Sequence, residues 1–251
     1  MKIPRTQPPA AFTMVEIAIS LAIIGFALVA IIGVLPRGLR VQRENREETI
    51  INQDAAVFLS AIRNGARGLD DLTNYVYEIR RYTQEYTGDP IPVGPTVTNI
   101  YNLTTPITLP LTSGERIIGL LSWPKYAPGP NEHFLSNYTV AYVRSLSGPA
   151  VEKPPQTNAE VRLDAFAYRM ACESLPAPTY DRATPYGRRM TNNLHELRLS
   201  FRWPVSASAN AGGRQTFRTQ IGGRLLKTND TYVATEPLYF FEPQIFVQPL
   251  P

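Results

Sequence analysis

The sequence predicts an α+β fold, in which a long N-terminal helix, first transmembrane and then amphipathic, packs on an antiparallel β-sheet head. Three observations lead to this prediction. An apolar run follows a short polar leader, apolar residues then recur at helical spacing, and later segments alternate apolar and polar residues as strands do. We divide the 251 residues into a leader at 1–11, a transmembrane segment at 12–35, a stem helix at 36–66 and a head at 67–251.

The apolar run extends from Phe12 to Leu35 and is interrupted only by Thr13, Glu16 and Ser20. Its last 19 residues, Ile17 to Leu35, rise about 1.5 Å each in a helix and so cross most of the roughly 30 Å hydrocarbon core of a bilayer. A Sec signal peptide fits less well, because its apolar core is only about 7 to 15 residues long and precedes the cleavage site. Glu16 needs an explanation, since a carboxylate within a membrane is costly and usually has a partner or a function.

The first residues, MKIPRTQPPAA followed by FTMVEIAISLAIIGFALVAIIG, resemble the class III signal of type IV prepilins and type II secretion pseudopilins. In that family a membrane-embedded prepilin peptidase cuts after a small residue, methylates the new N-terminal Phe and leaves a Glu at the fifth mature position. The matching residues are Ala11 before the cut, Phe12 as the methylated N-terminus and Glu16 as the acid. The commonest family residue before the cut is Gly, so the resemblance implies slower processing at Ala11.

The resemblance also implies a function and a location. The chain is expected to be a pilin-like structural subunit, a minor pilin or pseudopilin, that assembles into a type IV pilus or a type II secretion pseudopilus. Its expected partners are the prepilin peptidase, other pilin-like subunits through the N-terminal helix, and an inner-membrane assembly platform. It is expected to cross the bacterial inner membrane once, with its head in the periplasm or in an extracellular filament.

Glu16 has two explanations that can hold together. Cleavage before Phe12 creates an α-ammonium at the membrane edge, and a neighbouring subunit could place its own Glu16 opposite that charge. Pairing on assembly offsets the desolvation cost that each isolated charge carries, so it favours the correct axial register. The alternative is that Thr13 and Glu16 form a capping box at the start of the helix, where the helix dipole also favours an acid.

The stem helix is predicted to continue the transmembrane segment beyond Pro36. Proline removes a backbone donor and crowds the carbonyl of Ile32, so a kink is expected there. Gly65 and Gly68 are expected to end or bend the helix. The residues that recur at helical spacing and form its apolar stripe are Ile51, Ala55, Phe58, Leu59 and Ile62.

The head is predicted to begin with a second, shorter helix over 72–86, because Leu72, Tyr75, Val76, Ile79, Tyr82 and Tyr86 recur at three or four residues. Five prolines between Thr87 and Thr112 then predict an extended surface loop. A Pro-rich tail from Pro237 is expected to cross the surface. Strands are predicted at Arg116–Trp123, Asn137–Ser145, Val161–Cys172, Leu194–Trp203, Gln215–Ile221 and Thr231–Phe241.

The sequence gives little indication of catalysis. His133 and His195 are the only histidines, and motifs such as HExxH, CxxC, the P-loop and GxSxG are missing. We therefore predict no enzymatic activity, no cofactor and no metal, since EF-hand spacing is also missing. Cys172 is the single cysteine, which excludes an internal disulfide, and it is expected to be buried.

The charge balance gives no sign of a nucleic-acid surface. Cleavage would remove Lys2 and Arg5 from the 25 basic residues, which leaves 23 against 21 acidic ones. The main alternative to a filament subunit is a monomeric, membrane-anchored ectodomain that binds or modifies an envelope ligand. The sequence does not distinguish the systems that such a subunit could serve.

Overall fold

The computed structural model describes residues 12–65, 69–87, 91–102, 109–147, 166–176, 183–205, 212–230 and 236–242. They form helices α1 (Met14–Arg63), α2 (Gly114–Leu121) and α3 (Pro185–Asn193), with a 3-10 turn at Asp70–Asn74. The strands are β1 (Val76–Tyr86), β2 (Pro92–Asn102), β3 (Leu109–Pro110), β4 (Tyr126–Pro128), β5 (Phe134–Arg144), β6 (Ala167–Pro176), β7 (Leu194–Trp203), β8 (Gly213–Gly222), β9 (Arg224–Asn229) and β10 (Pro237–Glu242).

The chain divides into two compact units, with the boundary between Glu48 and Thr49. Helix α1 contributes to both, because its 50 residues run without interruption across Pro36. The kink at Pro36 therefore stays a prediction. The helix ends just before Gly65, as expected, and Gly65 has a φ of +57°. A Cβ atom there would lie 2.5 Å from the carbonyl oxygen of Phe241, so both the backbone angle and the close approach require glycine. Gly68 lies outside the described residues.

The second unit is built on an eight-stranded sheet with the order β3-β2-β1-β5-β6-β7-β8, in which β4 pairs beside β5. All of these pairs are antiparallel except the short parallel pair of β2 with β3. Strands β9 and β10 form a separate antiparallel pair. The predicted antiparallel sheet is thus confirmed.

Three predicted strands correspond closely to β5, β7 and β8, and β7 has the predicted bounds, Leu194–Trp203. Its apolar residues Leu197, Leu199, Phe201 and Trp203 are buried, and the residues between them are partly exposed. Strand β6 overlaps the predicted Val161–Cys172, but 161–165 and the bulge expected near Ala165 lie outside the described residues. The alternation of β7 therefore identified the face that turns to the core.

The core of the second unit lies between the end of α1 and one face of the sheet. Buried stem residues join buried residues of β1, β5, β6, β7 and β8 in one hydrophobic cluster. The predicted apolar stripe is confirmed, since its members are buried or, for Leu59, packed against the cluster. The stem residues in the cluster are Ile51, Ala55, Phe58, Ala61 and Ile62.

The second helix predicted over 72–86 is wrong, because a 3-10 turn and strand β1 occupy this segment. The pairing of β1 with β5 shifts between Val76 and Glu78, which leaves Tyr77 as an extra residue. This bulge turns both Val76 and Ile79 toward the core, three residues apart. The bulge therefore explains the helix-like spacing of Val76 and Ile79.

The surface loop predicted between Thr87 and Thr112 is also wrong, because this segment contains β2 and β3. Pro92 pairs with Tyr86 at the end of β1, and the pairing is irregular between Val93 and Val97, where Pro95 lies. A strand near the edge of a sheet tolerates proline at its end or at an irregularity, where a missing N–H breaks no ladder bond.

The strand predicted at Arg116–Trp123 is a helix, α2. The hydroxyl of Ser113 caps it by accepting the N–H of Arg116 at 3.2 Å. All residues of α2 except Glu115 are buried, and periodicity alone does not distinguish so short an apolar run from a buried strand. The segment from Pro237 is strand β10, with Leu238, Phe240 and Phe241 buried, so the surface tail is wrong for 237–242. Strand β9 was not predicted, and residues 243–251 lie outside the described residues.

Candidate functional site at the start of the long helix

The first turn of α1 forms a reciprocal capping box. The backbone N–H of Glu16 donates to the Thr13 hydroxyl at 3.3 Å, and the backbone N–H of Thr13 donates to Oε2 of Glu16 at 2.9 Å. The Thr13 hydroxyl also donates to Oε2 at 3.0 Å. These bonds satisfy two N–H groups that the helix start leaves without partners. Oε1 of Glu16 takes no part in them, so capping leaves one carboxylate oxygen available for a second interaction.

The helix that follows is apolar and exposed. Every residue from 12 to 46 is exposed, including Phe12 at 82% and Phe26 at 79%. Among the described residues, α1 is the one helix long and apolar enough to cross a membrane. Its polar Ser20 donates to the carbonyl oxygen of Glu16 at 2.7 Å, so the hydroxyl is satisfied within the helix. An apolar surface of this size needs lipid or another apolar surface to cover it.

The predicted site residues therefore lie as follows. Ala11 is outside the described residues, and Phe12 immediately precedes the cap residue Thr13. Glu16 is in the first turn, where it meets Thr13, and Pro36 lies within the uninterrupted helix. Beyond Pro36, Arg43 and Glu47 form an ion pair at 2.8 Å, one helical turn apart. The structure thus brings Thr13 and Glu16 together.

Asp54 ties the stem to the head and was not identified from the sequence. Its carboxylate is completely buried and accepts hydrogen bonds from the Leu146 backbone N–H at 2.9 Å, the Ser147 hydroxyl at 2.7 Å and the Tyr168 hydroxyl at 2.8 Å. Burial raises the pKa of Asp54 above its usual value, although the hydrogen bonds oppose the rise. The donors are about 90 or more residues away in the chain, so only the fold reveals the site.

Two further charged contacts hold the β9–β10 pair against the rest of the head. Arg116 of α2 pairs with Asp230 at 3.0 Å, and the side chains are 1% and 2% exposed. Arg81 of β1 donates to Glu236 at 3.0 Å. Glu236 also accepts from the hydroxyl of Tyr101 at 2.5 Å. Pairing is what makes such burial of charge tolerable, so we assign these contacts a structural role.

The two histidines and the cysteine lie in different surroundings within the described residues. Nδ1 of His133 lies 2.6 Å from Oε1 of Glu85, and burial lowers the pKa of His195. Cys172 is buried, as predicted, and burial raises the pKa of its thiol, which makes the reactive thiolate rare. The described ranges contain no cluster of three or more His, Cys, Asp or Glu side chains that could hold a metal ion.

Comparison of the chain with models of protein families, with curated proteins and with solved structures finds no match. We therefore infer the function from the residues of the chain and their geometry.

Proposed function

We propose that the chain is a structural subunit of a pilin-like filament, a minor pilin or a pseudopilin without enzymatic activity. A prepilin peptidase removes 1–11 and methylates Phe12, and the mature subunit assembles through its N-terminal helix into a type IV pilus or a type II secretion pseudopilus. Before assembly the subunit is a single-pass protein of a bacterial inner membrane, where an assembly platform receives it.

The observation that carries this proposal is an exposed apolar helix that has one carboxylate in its first turn. Lipid can cover the apolar surface before assembly, and the helices of neighbouring subunits can cover it afterwards. Membrane helices associate through close packing and polar contacts, because lipid is as apolar as their side chains. A polar group that finds its partner only in the assembly therefore adds specificity to the contact.

The resemblance of 1–11 and the following residues to prepilin signals supports the same proposal. It gives Ala11, Phe12 and Glu16 one shared explanation, which capping alone does not supply. The capping box is compatible with it, since Oε1 of Glu16 remains available to the α-ammonium of a neighbour.

Two variants separate pairing from capping. Glu16→Gln keeps an oxygen that can cap the helix but removes the charge, whereas Thr13→Val removes the capping hydroxyl and keeps the charge. Each variant is expressed in a host with an active assembly system, and the subunit is measured by immunoblot in membranes and in sheared filaments. We expect Glu16→Gln to insert normally but to reach filaments at least about tenfold less, since an unpaired buried charge is strongly unfavourable.

Glu44→Ala is the matched control, because it removes an exposed carboxylate from the same helix outside the apolar run. We expect it and Thr13→Val to reach filaments as the unchanged chain does. Normal incorporation of Glu16→Gln would contradict the pairing argument. If Thr13→Val did not reach filaments while Glu16→Gln did, Thr13 and Glu16 would act only as a helix cap. Exclusion of the unchanged chain from filaments would favour the monomeric ectodomain instead.

A further inference from the structure

The face of the eight-stranded sheet that points away from the hydrophobic core carries a groove that runs across the strands. The groove has a volume of about 690 Å³ and is lined by residues of β1, β5, β6, β7 and β8. Its floor consists of small or medium side chains that are directly paired across four neighbouring strands. These floor residues are, in order, Val140, Ala171, Ser200 and Thr216.

One wall of the groove contains three arginines on neighbouring strands. Register pairs Arg169 of β6 with Arg202 of β7, and Arg202 in turn with Arg214 of β8. Tyr142 of β5 pairs with Arg169 and extends the row by one strand. We call Arg169, Arg202 and Arg214 the arginine row. Because neighbouring strands lie about 4.8 Å apart, the row spans roughly 10 Å.

The opposite wall is more nearly balanced in charge. Arg198 of β7 pairs in register with Glu173 and with Arg218, and it donates to Glu196 at 3.0 Å. Glu173 also forms an ion pair with Lys125. Arg198 and Arg202 are four residues apart on β7, which separates the Cα atoms of the two walls by about 13 Å.

An aromatic pair closes the β1–β5 end of the second wall. Tyr82 pairs in register with Tyr138, and the ring centroids are 6.4 Å apart. Tyr138 is 41% exposed, so part of its ring is open to a ligand. The groove thus has arginines along one side and aromatic rings near one end.

The arginine row places three side chains of like charge directly opposite one another on neighbouring strands. Among the described residues that line the groove, five are arginines and one, Glu173, is acidic. The whole chain has a formal net charge of only +4, so positive charge is concentrated here. A concave surface with one sign of charge attracts ligands of the opposite sign.

We propose that this groove binds single-stranded nucleic acid, with phosphates along the arginine row and unpaired bases against Tyr82 and Tyr138. Arginine matches this ligand, since its planar guanidinium makes paired hydrogen bonds to phosphate oxygens. Exposed aromatic rings beside a basic groove bind unpaired bases by stacking. A duplex keeps its bases stacked within itself, and an acidic polypeptide offers carboxylates without bases, so both use less of the groove.

This inference is independent of the proposed function, because it depends only on the sheet of the second unit. The test uses the full chain in detergent micelles and a fluorescein-labelled oligothymidine of about 12 nucleotides, within the usual site sizes of such grooves. Fluorescence anisotropy gives the dissociation constant over a range of salt concentrations. We expect specific binding that weakens as salt is added, since bound phosphates release counterions.

The main variant combines Arg202→Gln with Arg214→Gln. Loss of two phosphate contacts is expected to weaken binding at least about tenfold and to reduce the slope of log K against log salt by about 1.4. The matched control combines Arg188→Gln with Arg189→Gln, which removes the same charge from exposed positions of α3 outside the groove. This control is expected to bind as the unchanged chain does. Arg214→Gln alone, at an exposed position, replaces the double variant if thermal unfolding shows that the latter is not folded.

Tyr138→Leu tests the bases separately from the phosphates. Loss of stacking is expected to weaken binding about tenfold and to leave the salt slope unchanged. Equal binding by the main variant and its control would overturn the proposal. Competition by poly-glutamate as effective as that by unlabelled oligothymidine, together with no effect of Tyr138→Leu, would show a site for an acidic protein and would also overturn it.

Discussion

The two parts of helix α1 differ in how their apolar side chains are covered. Phe26, in the first unit, is 79% exposed, whereas Phe58, in the second, is completely buried. The first part is apolar on all sides as far as Leu35, and the second has an apolar stripe that packs in the core of the head. The exposed apolar surface of the first part needs lipid or another apolar surface to cover it, whereas the stripe of the second part is covered within the head.

This difference predicts separate roles for the two parts of α1, with the first in assembly and the second in folding of the head. The residues up to Glu48 are proposed to act in the membrane and in contacts between subunits, and the residues from Thr49 stabilise the head. Variants in the first part should therefore change location and incorporation, while variants in the second should change the free energy of unfolding. The following predictions test this separation, beginning with the largest effect.

Removal of 1–36 should abolish membrane association. The remaining chain from Arg37 keeps the stem residues and the sheet that form the core, so it should stay folded. Fractionation should place the full chain in the membrane pellet and the shortened chain in the soluble fraction. A shortened chain that is unfolded by circular dichroism would show that the head depends on the apolar segment.

Phe58→Ala should destabilise the head by about 3 to 5 kcal/mol, because it leaves a cavity in the core. Phe26→Ala makes the same change at an exposed position of the same helix and should leave the unfolding of the head unchanged. Denaturant unfolding in detergent, followed by tryptophan fluorescence, measures both. Equal effects of the two variants would contradict the separation of roles along α1.

Asp54→Ala should destabilise the head by about 2 to 3 kcal/mol, because it leaves three donors, of which the Tyr168 hydroxyl is buried, without their acceptor. Gln53→Ala changes an exposed neighbour on the same turn and should alter the free energy of unfolding by less than about 0.5 kcal/mol. The same unfolding measurement applies. If Asp54→Ala lowered the free energy of unfolding as little as Gln53→Ala does, Asp54 would not anchor the stem to the head.

The burial of Asp54 should make the stability of the head depend on pH. Its pKa is raised in the folded chain, so its contribution to stability is complete below the unfolded value of about 3.9 and is lost as pH rises through the folded value. The loss amounts to about 1.4 kcal/mol for each unit between the two pKa values. This loss is measured by the free energies of unfolding of the unchanged chain and of Asp54→Asn from about pH 4 to pH 7. The difference between them should change with pH, and a constant difference would contradict the raised pKa.

Regular periodicity predicted the parts of the fold in which local pattern and burial agree. The stem stripe and strand β7 each have one buried face and one more exposed face, so their spacing identifies the element. The bulge at Tyr77 broke this agreement in β1, and the apolar run of α2 is so short and so nearly buried that it also fits a buried strand. Strand β2 was not predicted because it contains prolines. Its pairing with β1 shows that these prolines lie at a strand end or at an irregularity, where a strand tolerates them.

The charged sites show a second limit of sequence analysis. Thr13 and Glu16 are three residues apart, so their capping contact was recognisable in the sequence. The arginine row comes from three strands, and each of its members looks like an ordinary solvated residue in its own segment. The prediction of no nucleic-acid surface considered the charges along the chain, and only the strand register brings Arg169, Arg202 and Arg214 together.

The mass of the mature chain, purified from cells with an active prepilin peptidase, tests the central claim most directly. We predict a chain that lacks Met1 to Ala11 and carries one methyl group on the amino nitrogen of Phe12. Tandem mass spectrometry of the N-terminal peptide locates that methyl group. A chain that retains its first eleven residues in such cells would contradict the account.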